Sequence, residues 1–201
     1  LATRDYFARF GVKGKLIDGR LVNLGIGQGE IGVTPLQMAV YCAALANGGT
    51  MYVPHVVRSY YYKESKRMEK NAFDSLKLPI NKEYFDVVKR GMFAVCNIAG
   101  GTATNVKVDS VKVCGKTGTA QNPHGKDHAW FICYAPAENP TIAMCVMVEN
   151  AGFGGVKAAP IARKILDAYF HPDRYKESST DSTATKKPAP DSSQTAESYA
   201  D

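Results

Sequence analysis

Val113-Cys114-Gly115-Lys116-Thr117-Gly118-Thr119-Ala120-Gln121 is the stretch on which the reading of this chain turns. Its apolar start suits a strand, and the strand ends in a cation, two hydroxyls and a glycine. Lys116, Thr117 and Thr119 together suit an anionic group. Gly118 lets that group come close to the backbone. Gly115-Lys116-Thr117 also resembles the end of a nucleotide-binding loop, Gly-x-x-x-x-Gly-Lys-[Ser/Thr]. That loop needs glycine at position 110, where this chain has Ser110. It also needs a helix after the lysine, which Gly118 and Pro123 oppose. Nucleotide binding is therefore set aside. What remains is a strand end forming one wall of a cleft. An edge strand there exposes free backbone N–H groups, and one of them can stabilise the oxyanion of an acyl-transfer intermediate.

Outward from this stretch the chain alternates helices with an antiparallel meander. Downstream, Ala129–Ala135 is apolar on both of its alternating faces and is expected to be covered on both sides. A Pro/Asn turn leads to a third strand, Thr141–Val148. The first of the three strands is expected over Val106–Thr119. A last helix is expected over residues 158–170, with Pro160 in its first turn and Ile161, Ile165, Leu166 and Tyr169 as its stripe. Upstream, Thr34-Pro35-Leu36-Gln37 has the form of a capping box. The helix it opens runs to Ala46 and stops at Asn47-Gly48-Gly49. Leu36, Ala39, Val40, Ala43 and Ala44 are its expected stripe. Residues 50–70 read as hairpin material, with Tyr60-Tyr61-Tyr62 on a half-buried strand. A second helix from Lys82 to Cys96 places Phe85, Val88, Met92 and Val95 on one face. A helix end over residues 3–10, a Gly/Lys-rich turn through Arg20 and a tight glycine bend over Gly25–Gly29 complete the upstream part. The fold class is α+β of the α/β-sandwich type, an antiparallel sheet covered by helices.

The chain divides at residue 171. Residues 1–171 have enough apolar content for a core, whereas 172–201 are Ser/Thr/Pro-rich, nearly free of large aliphatics, and expected to be disordered. Four Lys/Arg and six Asp/Glu stand in that tail, so the +6 of the whole chain becomes +8 on residues 1–171. A basic body suits an anionic partner. The charges are scattered, without a basic block or interleaved aromatics, so nucleic acid is not expected. Five cysteines without a Cys-x-x-Cys pair do not form a disulfide framework. No apolar run approaches the roughly 20 residues of a membrane span, and the chain by itself is expected to be soluble. Gly25-Ile26-Gly27-Gln28-Gly29 places its third glycine one residue early for a dinucleotide loop. His124-x-x-x-His128 has metal-ligand spacing but too few companions for a zinc site, so no metal and no cofactor are expected. Contact with a substrate at the edge of the cleft is the reading for His128.

The chain resembles the C-terminal part of a class B penicillin-binding protein transpeptidase domain, closest to the elongation type, the penicillin-binding protein 2 group. The resemblance covers residues 5–170. It rests on Gly25-Ile26-Gly27-Gln28-Gly29, Thr34-Pro35-Leu36-Gln37, Ala46-Asn47-Gly48-Gly49, Gly100-Gly101-Thr102-Ala103, Gly115-Lys116-Thr117-Gly118-Thr119-Ala120-Gln121 and the Trp130-Phe131 strand, in that order. It implies the fold shared by these transpeptidases and the serine β-lactamases. It implies serine acyl transfer that cross-links peptidoglycan stem peptides during cell-wall elongation, with β-lactam antibiotics acylating the same serine. Lys116 then tunes the site and helps bind substrate. Thr117 and Thr119 hold the terminal carboxylate beside Gly118, and the Thr119 backbone N–H forms half of the oxyanion hole. Gln121 and His128 lie at the margin of this set. The implied partners are stem peptides, β-lactams and a glycosyltransferase of the elongation machinery. The implied location is the periplasmic face of the inner membrane, through an N-terminal anchor absent from this chain. No Ser-x-x-Lys and no Ser-x-Asn occurs in the 201 residues. The nucleophile is thus not in this chain, and the chain alone is expected to be inactive. A β-lactam sensor or a non-catalytic penicillin-binding relative is the alternative reading.

Overall fold

The computed structural model describes residues 15–29 and 31–176. The helix end expected over residues 3–10 lies outside them, as does the tail beyond residue 176. In chain order the elements are α1 (Lys15–Gly25), α2 (Pro35–Ala46), β1 (Thr50–Tyr52), β2 (Ser59–Tyr62), β3 (Arg67–Lys70), β4 (Ser75–Lys77), α3 (Lys82–Asn97), β5 (Cys114–Ala120), β6 (His128–Ala135), β7 (Ile142–Val148) and α4 (Gly154–Phe170). A 3-10 turn over Pro172–Tyr175 follows.

The centre is the antiparallel sheet β5-β6-β7. Its register sets Lys116 opposite Ile132 and Thr119 opposite Ala129. Side chains alternate across a strand, so β6 feeds two cores. Ala129, Phe131, Cys133 and Ala135 join Ala158, Ala159, Ala162 and Leu166 of α4 on one face. Ile132 and Tyr134 join Cys42, Leu45 and Ala46 of α2 with Phe85 and Met92 of α3 on the other. The expectation that β6 is covered on both sides holds. Burying Phe131 completely contributes about 2–3 kcal/mol.

Local signals explain the two best-defined ends. At α2 the Thr34 side chain accepts from the Gln37 N–H at 3.2 Å, and the Gln37 Oε1 accepts from the Thr34 N–H at 2.8 Å. This reciprocal box contributes on the order of 1 kcal/mol. At the end of α2, Gly49 has φ +102°, and a β-carbon there would lie 2.6 Å from the Phe85 ring. Only glycine lets the chain turn against that ring.

Several expectations are corrected. The Gly/Lys-rich turn through Arg20 is, from Lys15 on, the helix α1. The first sheet strand begins at Cys114 rather than Val106. Residues 106–113 are loop with a single Val108–Val111 bridge, because Asp109-Ser110 turns the chain and Ser110 adopts φ 58°. Of the expected α2 stripe Ala44 is buried and Leu36 is exposed; the other buried residues are Cys42, Leu45 and Ala46, with Met38 partly buried beside them. Nearly every residue of α2 is apolar, so periodicity alone does not select a face. On α3, Cys96 is buried while Val88 is exposed.

The α4 stripe shifts for a different reason. It starts four residues early, at Gly154, so Pro160 lies inside the helix rather than in its first turn. Gly154, Ala158, Ala159, Ala162 and Leu166 are buried, whereas Ile161, Ile165 and Tyr169 are exposed. Close approach to the sheet selects small residues over large ones. Tyr60, Tyr61 and Tyr62 are exposed on the β2–β3 ribbon, a sheet of two strands that no further strand joins among the described residues. The short strand β4, paired with β1, has no counterpart in the expectations. Pro172–Tyr175 falls in the segment assigned to the tail by composition, and it is tied to the body. Arg174 bonds Asp109 at 2.7 Å and Asp167 at 2.8 Å, and the Tyr175 hydroxyl donates to Asp167 at 2.8 Å.

Candidate active-site wall

β5 pairs with β6 on one side only, and among the described residues no strand pairs with its other edge. In an extended strand the N–H and C=O of one residue point to the same side, and successive residues alternate. The Thr119 carbonyl accepts from Gln28 Nε2 at 2.9 Å, and the Thr117 carbonyl accepts from Lys116 Nζ at 2.6 Å. Both carbonyls, and therefore both N–H groups, face away from β6. Thr117, Thr119 and Gln121 thus present the free backbone edge of the sheet. Pairing puts Lys116 and Gly118 on the α2 side with Ile132 and Trp130. Thr117 and Thr119 lie on the α4 side with Phe131 and Ala129. The ammonium and the hydroxyls leave opposite faces of the strand, and the Lys116 side chain folds back to the Thr117 carbonyl at the edge.

This edge borders a cavity of about 510 Å³. Lys116 to Ala120 form one wall with Trp130. Ile26, Gln28, Val33 and Met38 form the other. Two segments shape the strand from outside. The Thr102 hydroxyl lies 2.8 Å from the Thr117 hydroxyl, within hydrogen-bond distance. Gly101 holds the turn that carries Thr102 so close to α3 that a β-carbon would collide with the Ala94 and Val95 carbonyls. The start of α4 lies on β5, where a β-carbon at Gly154 would collide with the Gly118 and Trp130 carbonyls. Gly118 itself is needed twice. It leaves the edge open, and a β-carbon there would sit 3.2 Å from the Trp130 β-carbon.

The two marginal residues lie elsewhere. Gln121 and His128 do not line the cavity. The Gln121 N–H is held by Gln28 Oε1 at 3.2 Å. His128 sits opposite Ala120, and its Nδ1 accepts from the Asn150 N–H at 3.0 Å. Asn122 Nδ2 donates to Asn150 Oδ1 at 2.7 Å, so His128 and Asn150 brace the 121–127 loop. Among the described residues no three His, Cys, Asp or Glu side chains are placed to hold a metal ion.

The cysteines surround the back of the wall and are chemically quiet. Cys42, Cys96, Cys114 and Cys133 are buried, and Cys145 is half-buried. Burial pushes the Cys42 and Cys96 thiols up to about 12 and Cys145 up to about 11. Gln28 and Thr102 are the site residues that motif reasoning on Lys116 misses. Their signals are the Gly-Gln-Gly and Gly-Gly-Thr-Ala segments.

A helix-covered antiparallel sheet whose free edge carries Lys-Thr-Gly-Thr is the frame of the serine acyl-transfer domains that recognise penicillin. Comparison with known proteins places the chain within that class. The penicillin binding protein transpeptidase domain family matches residues 6–167. The peptidoglycan D,D-transpeptidase MrdA of Haemophilus influenzae is 37% identical over 174 residues, covering 77% of this chain and 26% of that protein. Penicillin-binding protein A of Mycobacterium tuberculosis, solved as its imipenem acyl-enzyme complex, superposes with a TM-score of 0.65 at 28% identity, covering 74% of this chain and 33% of that one. The penicillin-binding protein PBP2 of Helicobacter pylori, solved in complex with MreC, gives a TM-score of 0.67 at 26% identity, covering 85% and 31%. The chain belongs to the penicillin-binding protein transpeptidase family. It spans about a quarter of the length of the curated relatives it matches.

Proposed function

We propose that this chain supplies the substrate-binding wall of a peptidoglycan D,D-transpeptidase. The observation that carries the reading is the free β5 edge, with Lys116, Thr117 and Thr119 lining one cavity in a member of this family. A serine supplied by the rest of the domain attacks the penultimate D-alanine carbonyl of a stem peptide. The carbonyl carbon becomes tetrahedral, and its oxyanion is held by the Thr119 N–H, which lies on the free edge. Collapse of this intermediate expels the last D-alanine as the amine and leaves an ester on the serine. An amine of a neighbouring stem then attacks the ester, forms the new amide and releases the serine. The Thr117 and Thr119 hydroxyls receive the terminal carboxylate, and the Lys116 ammonium adds its positive charge.

β-Lactams acylate the same serine in this reading; the tuberculosis relative forms an acyl-enzyme complex with imipenem. The 201 residues contain no Ser-x-x-Lys and no Ser-x-Asn. By themselves they bind at most the carboxylate end of a ligand and do not acylate. The parent acts at the periplasmic face of the inner membrane within the elongation machinery. A glycosyltransferase supplies its glycan strands, and an MreC-like protein is a further partner by analogy with the Helicobacter complex. Among the described residues no helix is long and apolar enough to cross a membrane.

The test is labelling with a fluorescent penicillin. The whole transpeptidase domain should label and these 201 residues alone should not. Lys116→Ala in the whole domain should slow acylation by about 100-fold. Unchanged acylation in that variant would refute the role of Lys116.

A further inference from the structure

The proposed chemistry leaves the Gly25–Gly29 bend without a role. The structure shows what it does. Gly27 and Gly29 take φ +77° and +89°, and the turn between them directs the half-buried Gln28 side chain across the cavity to β5, 91 residues away in the chain. Gln28 Nε2 donates to the Thr119 carbonyl at 2.9 Å, and Gln28 Oε1 accepts from the Gln121 N–H at 3.2 Å. One carboxamide thus satisfies the carbonyl of one residue and the N–H of the residue two further on. That is the pair of bonds a single residue of a parallel partner strand would make. Donor meets acceptor at both ends, so the amide orientation is fixed by the site. Among the described residues β5 has no neighbouring strand at this edge, and Ala120 is its last residue. An unsupported strand end frays first. The two bonds stop this fraying directly after Thr119.

We infer that Gln28 is a positioning residue, whose carboxamide stands in for a missing strand and holds the Thr119 N–H in line with the reacting carbonyl. The inference rests on the transpeptidase reading of the site. Gln28 does not touch the reacting atoms. It sets the direction of the backbone donor that does, and the Thr119 N–H must lie within about 3 Å of the developing oxyanion to act. The bond to Thr119 is made through its carbonyl, so the N–H of the same residue stays open to the cavity. The Gly-Gln-Gly segment then makes physical sense as a unit. Glycine at 27 and at 29 permits the left-handed turns, and glutamine is long enough to reach both backbone groups at once.

The test compares wild type, Gln28→Met and Gln28→Ala in the whole transpeptidase domain. Methionine keeps the length and removes both hydrogen bonds, and alanine removes the side chain. Two quantities are read. The first is hydrogen exchange of the Gln121 amide, which should quicken at least about 10-fold in both variants as the bond is lost. The second is penicillin acylation, separated into the binding constant and the acylation step. The acylation step should slow by about 10-fold or more, while binding changes less than about 3-fold, because donor alignment acts in the transition state. A loss confined to binding would overturn the inference, since a merely structural role or a ligand contact would give that split. An unchanged or faster acylation step would overturn it as well, and a faster one would mean that Gln28 competes with substrate for the edge. Unaltered Gln121 exchange would show that the two bonds do not restrain the strand. A wild-type domain that takes no label would instead refute the transpeptidase reading, and the inference with it.

Discussion

Gly154→Ala is the substitution that best separates this account from a generic one. Gly154 opens α4 where the helix touches β5. A β-carbon there meets the Gly118 and Trp130 carbonyl oxygens, which are backbone atoms of the sheet and have no rotamer to change. The helix start must lift or the strand must shift. Overpacking of this kind costs about 1–3 kcal/mol, and a rigid backbone neighbour puts the cost at the upper end. Alanine returns up to about 1 kcal/mol of helix propensity, less at a first-turn position. The net expectation is about 2 kcal/mol of destabilisation, or about 4–8 °C in Tm for a domain of this size. Gly91 is the internal control. It lies within α3, has no atom within 4 Å of a built β-carbon, and has an ordinary helical φ. Gly91→Ala should stabilise by about 0.5–1 kcal/mol. The assay is thermal unfolding followed by circular dichroism, with both variants scanned in one buffer. The same change of one hydrogen to one methyl should therefore act with opposite sign at the two positions. Equal or higher Tm for Gly154→Ala would refute the close α4–β5 contact, and with it the account of how Gly118 is placed.

Three further outcomes follow from the geometry. The thiolate is the reactive form of cysteine, and the Cys42 and Cys96 thiols are pushed up to about 12. At pH 8 the folded protein should be alkylated far more slowly than the denatured one, with half-buried Cys145 first, and mass spectrometry of partly labelled protein would show the order. Asp167 is held below the usual carboxylate range, chiefly by the Tyr175 hydroxyl and then by Arg174. Its contribution is therefore present above the ordinary carboxylate pKa near 4 and is lost as pH falls through the lower folded value. Hydrogen exchange at the Pro172–Tyr175 turn should rise in that acid window for wild type and be already raised at pH 7 in Asp167→Asn, with high salt narrowing the difference. Thr34→Ala removes one half of the α2 capping box and should cost about 1 kcal/mol in denaturant unfolding, whereas Thr34→Ser should cost less.

The legible part of the fold was the part written in local chemistry. Thr34-Pro35-x-Gln37 fixed the start of α2, and the doubly apolar run of β6 required helices on both faces, as the two cores show. The Lys-Thr-Gly-Thr strand and its meander were legible for the same reason. Facing was not legible where composition was uniform or where closeness mattered more than size. On α2 nearly every position is apolar, and on α4 the buried stripe is glycine and alanine because the helix lies directly on the sheet. Long-range contacts were also silent in the sequence. The glycine segments around Gln28 and Thr102 signal tight turns, but not that these turns carry the two side chains to Thr119 and Thr117.

The central claim is that the free edge of β5 binds the reacting carbonyl and the carboxylate beside it. The most direct measurement is a crystal structure of the whole transpeptidase domain after acylation by penicillin. The account predicts the acyl carbonyl oxygen about 2.7–3.1 Å from the Thr119 backbone nitrogen, with the drug carboxylate on the Thr117 and Thr119 hydroxyls. An acyl oxygen turned away from Thr119, or a carboxylate with no bond to either hydroxyl, would contradict it.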